Sequence, residues 1–145
     1  MKQLRIFSML AISLFLFSYT GKAQNKTSEN QMKQNTIEVF DFHTTNRCIT
    51  CNAIEANTKY TLDTYFADEI KSGKITFQVI NLDEKENEQL GEKFQAYGTS
   101  LFLNVVTNGK EKQIDLTEFA FMNGKNKEAF SSELKETLDK QLKNL

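Results

Sequence analysis

The spacing of apolar residues changes period at one place in this chain, and two cysteines sit on the change. Ile37, Val39, Phe40 and Phe42 form an almost continuous apolar segment, as expected of a strand covered on both faces. From about Cys51 to Ile70 the apolar residues Ile54, Leu62, Phe66 and Ile70 share one helical face instead, in one bent helix or two, with Ser72-Gly73 as the stop. Cys48-Ile49-Thr50-Cys51 lies at the junction. A buried strand running into an amphipathic helix calls for a crossover to a further strand, which confines the chain to α/β architectures.

The rest of the chain agrees. Ile75 to Leu82 returns to strand character through Ile75, Phe77, Val79 and Ile80. Asp83-Glu84-Lys85-Glu86 reads as a helix start, with Asp83 as cap and an acid three residues on as in a capping box, and Leu90 and Phe94 as the inward face. Leu101 to Val106 is the next strand. Asn108-Gly109 then signals a two-residue hairpin, because both residues tolerate positive φ. Lys110 to Leu116 has few apolar residues and suits a sheet edge, where lysines discourage further pairing. Phe130, Leu134, Leu138 and Leu142 recur every four residues and define a C-terminal helix. The order β-α-β-α-β-β-α predicts a three-layer α/β/α sandwich on a mixed four-stranded sheet.

The first residues belong to another task. Lys2 and Arg5 precede an apolar run from Ile6 to Phe17, and Gly21-Lys22-Ala23 places small residues at a cleavage site before Gln24. Residues 1–23 therefore read as a signal peptide, and the run is short for a membrane span. No cysteine sits at the cut, so there is no lipobox, and the expected location is periplasmic or secreted. Residues 24–35 form a polar leader, and residues 36–145 the domain. Cleavage removes three cations and no acid, taking the formal charge from −1 to −4. Such a chain has no electrostatic case for binding nucleic acid, and after cleavage it retains no stable membrane span.

Placement gives the cysteines their chemistry. Cys48 falls at a helix start, where unpaired backbone N–H groups and the positive end of the helix dipole stabilise a thiolate. Arg47 brings a positive charge beside it. Cys51 lies one turn on, close enough to close a disulfide. Thiolate attack, a mixed disulfide and release by the second cysteine make a complete exchange cycle.

On the position of this CxxC and the order of elements from Thr36 to Leu142, the chain resembles the thioredoxin-like superfamily, in particular exported bacterial members of the small four-stranded type. The resemblance implies that Cys48 is the exposed nucleophile and Cys51 the more buried resolving cysteine. It implies a thiol–disulfide oxidoreductase whose redox group is its own disulfide, with no other cofactor. The implied partners are protein thiols or disulfides together with a redox partner. Arg47 and Ile49-Thr50 replace the tryptophan and the Gly-Pro pair of thioredoxin itself. Ser100 falls at its cis-proline position, after Gly98 and Thr99, and trans geometry is expected there because a non-proline cis bond costs about 2.5–4 kcal/mol. Thr99 and Ser100 thus become substrate-contact candidates, and Arg47 a tuning candidate. Asp41 matches the family's buried acid if one residue is inserted before Cys48; otherwise Phe42 takes that position.

Two other functions use the same residues. His43, Cys48 and Cys51 offer an imidazole and two thiolates to a soft metal such as Cu(I) or Zn. A non-catalytic interaction domain keeps the fold without turnover. Phe119, Phe121 and Met122, between the edge strand and the last helix, either wall the active-site face or cap the core.

Overall fold

The structure is a computed structural model that describes residues 35–145. The expected signal peptide over 1–23 and the expected leader over 24–35 lie outside the described residues, apart from Asn35. Four strands, β1 (Thr36–His43), β2 (Ile75–Asn81), β3 (Ser100–Thr107) and β4 (Lys110–Asp115), form one sheet in the order β2-β1-β3-β4. β1 pairs parallel with β2 and antiparallel with β3, which pairs antiparallel with β4. The sheet is therefore mixed, with the lysine-bearing β4 at one edge.

Strand alternation sorts the side chains into two cores. Ile37 and Val39 of β1, with Leu101, Leu103 and Val105 of β3, join Ile54 and Leu62 of helix α1 (Ile49–Tyr65) and Phe130, Leu134 and Leu138 of helix α5 (Lys127–Leu142). On the opposite face Phe40, Phe42 and Phe102 meet Phe94 of helix α3 (Glu88–Phe94), with ring centroids 5.0 to 6.0 Å apart. Helices thus cover both faces of the sheet, giving three layers. The hairpin turn places Asn108 at φ 52° and Gly109 at φ 77°, the positive values that an Asn-Gly pair accepts at least cost.

One open alternative is resolved and two local expectations change. The stretch from 49 to 71 is two helices: α1 ends at Phe66, whose φ of −132° leaves helical geometry, and α2 covers Ala67–Lys71. Asp83 does not cap a helix. Its carboxylate accepts the Thr45 N–H at 2.7 Å, and α3 begins only at Glu88, after a single 3-10 turn at Lys85–Asn87. A tertiary partner outbids the local capping box because Thr45, at the sheet end beside β2, presents an unpaired amide. Finally, Thr117–Asn123 is a helix, α4, where the sequence shows only a connection. Its seven residues are too few to show a period, and packing on α1 and α5 makes the helix. Phe119 of α4 stacks on Phe130 at 5.0 Å and caps the core, whereas Phe121 and Met122 are exposed. No helix among the described residues is long and apolar enough to cross a membrane.

Candidate functional site

β1 ends at His43, and after the four loop residues Thr44 to Arg47 the chain reaches the start of α1 at Cys48. Cys48 is the N-cap of that helix, in extended geometry, and its sulfur accepts the Cys51 N–H at 3.0 Å. The helix has seventeen residues and no acid in its first turn, so no side chain of that turn offsets the positive end of its dipole at Cys48. Cys48 and Cys51 form a disulfide across a Cα separation of 5.0 Å. Their surroundings differ: Cys48 is exposed, and Cys51 is 6% exposed. One residue of the pair is open to solvent and the other is buried in the core.

Behind the pair lies a buried charge cluster. Asp41, on the α1 side of β1, is fully buried; Phe42 points to the α3 side. Arg47 does not reach outward past Cys48. Its Nη2 donates to Asp41 Oδ2 and to the Cys51 carbonyl, each at 3.3 Å, and its Nη1 pairs with Glu55 of α1. The guanidinium charge is thus met by two carboxylates, and the helix terminus remains as the main source of positive potential at Cys48. Asp41 Oδ1 has no hydrogen-bond partner among the described residues. Burial pushes the Asp41 carboxyl up from 3.8 to about 7; Arg47 pulls it down and Glu55 pushes it up. A carboxyl with an unpaired buried oxygen and a pKa near neutrality is suited to exchanging a proton.

The remaining candidates are placed as follows. Ser100 opens β3 opposite Phe42 of β1, at the sheet end from which the CxxC loop departs, and Thr99 immediately precedes it. The Ser100 hydroxyl turns back to donate to the Gly98 carbonyl at 3.0 Å, and the described peptide bonds are trans. His43 Nδ1 donates to the Thr44 carbonyl at 2.9 Å, which places the ring proton on that nitrogen. No group of three His, Cys, Asp or Glu side chains among the described residues is arranged to hold a metal ion.

Sequence reasoning missed two parts of the site. Glu55 lies eight residues from Arg47, and only the folding of the loop against α1 brings them together. The end of α4 also abuts the motif. The Gly124 carbonyl accepts from the Asn57 side chain at 3.0 Å, and a Cβ at Gly124 would stand 2.9 Å from the Thr50 methyl. A glycine ending a seven-residue helix carries no signal of such a long-range approach.

Neither a protein-family model nor a curated protein matches the chain. Among solved structures it is similar to Fasciola hepatica thioredoxin, at 19% identity and a TM-score of 0.44, over 73% of this chain and 81% of that one. It is also similar to a protein described only as malarial, at 20% identity and a TM-score of 0.39, over 61% of this chain and 96% of that one. The fold stands on the chain's own strand order, its parallel crossover and its closing antiparallel hairpin. That topology, with the Cys48–Cys51 disulfide at the mouth of α1, is the arrangement that the resemblance to thioredoxin-like proteins implies.

Proposed function

We propose that this chain is an exported thiol–disulfide oxidoreductase that exchanges disulfides with protein or small-thiol substrates through Cys48 and Cys51. The observation that carries the reading is the asymmetry of the pair, an exposed cysteine capping α1 joined to a buried one. In the reduced protein the Cys48 thiolate is stabilised by the Cys51 N–H and by the helix terminus. It attacks a substrate disulfide, forming a mixed disulfide and releasing one substrate thiolate. The Cys51 thiol then passes its proton to the Asp41 carboxylate and attacks Cys48 Sγ. The mixed disulfide breaks, the second substrate sulfur leaves with the electron pair, and the Cys48–Cys51 disulfide is restored. The substrate is reduced by two electrons and the protein oxidised by two; the reverse sequence oxidises a dithiol. Export is supported by the charged start, apolar run and small-residue cut of residues 1–23.

An insulin-reduction assay beside a Cys48→Ser variant tests the reading. Turnover by the parent and none by the variant is expected; equal rates would remove the enzyme assignment. A Cys51→Ser variant, which retains the attacking sulfur without the resolving one, should accumulate mixed disulfides at Cys48. A non-catalytic interaction domain would accumulate none.

A further inference from the structure

We infer that Arg47 is a positioning residue for the resolving step, holding the Asp41 carboxyl and the Cys51 backbone on one nitrogen and so governing how Asp41 takes the Cys51 proton. The inference rests on the exchange reading above and assigns Arg47 a place within it. From the sequence, Arg47 stands next to Cys48 and points to an effect on the attacking sulfur. Its geometry is turned the other way. Nη2 lies 3.3 Å from both Asp41 Oδ2 and the Cys51 carbonyl oxygen, Nη1 is held by Glu55, and the side chain is only 17% exposed. Arg47 therefore ties the loop before the motif, strand β1 and the first turns of α1 to one another at the buried cysteine.

Charge bookkeeping makes this clamp adjustable. One guanidinium faces two carboxylates, so protonation of Asp41 changes the cluster from net −1 to neutral. Asp41 faces Arg47 from its own loop and Glu55 from α1; its register partners on the neighbouring strands, Val79 and Leu101, carry no charge. Arg47 and Glu55 therefore act on Asp41 in opposite directions. A purely structural role for Arg47 has no such antisymmetric signature.

The test uses the protein with a thionitrobenzoate mixed disulfide formed at Cys48. Closure of the ring by Cys51 releases the coloured thiol: the Cys51 proton goes to Asp41, the Cys48–thionitrobenzoate bond breaks and the Cys48–Cys51 bond forms. The pH profile of release is compared in the parent, Arg47→Met, Arg47→Lys and Glu55→Gln, and the Asp41 carboxyl is titrated in parallel by carbon NMR. Loss of the arginine charge should move the inflection upward by about 1 unit or more. At about pH 7 that takes the ionised share of Asp41 from about half to about a tenth, a roughly fivefold slower release. Glu55→Gln should move the inflection downward. Arg47→Lys, which keeps the charge but not the two-point hold, should fall between parent and Arg47→Met.

Shifts of the same sign in Arg47→Met and Glu55→Gln, or none in either, would overturn the inference while leaving the exchange function standing. If Arg47→Met does not fold, Glu55→Gln and Arg47→Lys decide the sign between them. If the parent releases no thiol at any pH, the exchange reading falls, and the Asp41 titration alone reports on the clamp.

Discussion

Replacing Asp41 with asparagine is expected to stabilise the oxidised protein, and by more as pH rises. Asp41 is fully buried, and burial, against the opposing pull of Arg47, raises its carboxyl from 3.8 to about 7. Below the unfolded value both states hold the proton and the carboxyl contributes no pH dependence. Between 3.8 and about 7 the unfolded chain has released a proton that the folded chain keeps, so stability falls as pH rises. Above that window the loss is complete and amounts to about 4 kcal/mol. An amide of the same shape does not titrate and escapes this loss. Its other costs, above all an Arg47 left with Glu55 alone, do not depend on pH and cancel when one variant is compared with itself at two pH values. Integrating between about pH 5 and about pH 8, the advantage of Asp41→Asn over the parent should grow by about 2–3 kcal/mol, on the order of 10 °C in Tm. Urea denaturation of both proteins with the disulfide intact, at those two pH values, measures it. An advantage of equal size at both would refute the claim that Asp41 is folded into an environment hostile to its charge.

Three further outcomes follow from packing. Gly124→Ala sets a methyl 2.9 Å from the Ala120 carbonyl oxygen and from the Thr50 methyl; chemical denaturation should show a loss of about 1–3 kcal/mol, with a changed rate of disulfide reduction because Thr50 lies between the cysteines. Leu134→Ala removes a side chain that is 0% exposed between α5 and the sheet; it should cost about 2–5 kcal/mol in the same assay and leave the potential of the cysteine couple unchanged. Asp83→Ala removes the acceptor of the Thr45 N–H. The Thr45 amide should then exchange faster with solvent. In the parent this protection should be lost as pH falls through the Asp83 carboxyl value, which that hydrogen bond holds below the ordinary one.

Local pattern determined much of this protein. Strand and helix periods are properties of neighbouring residues, so β1, β2, β3, the Asn108-Gly109 turn and the buried stripe of α5 were legible before any contact was known. So was the position of Cys48 at a helix start, since the change of period marks it. Other features were decided only by folding, because their causes lie far apart in the chain. The short helix α4 exists through its packing, and Asp83 serves Thr45 across thirty-eight residues in preference to the helix beside it. The sequence left Asp41 and Phe42 as rivals for one position. Tertiary structure set Asp41 on the α1 face of the sheet and Phe42 on the other, and it turned Arg47 inward to meet Asp41. A charge's neighbours in space decide what it does, and only the closed fold supplies them.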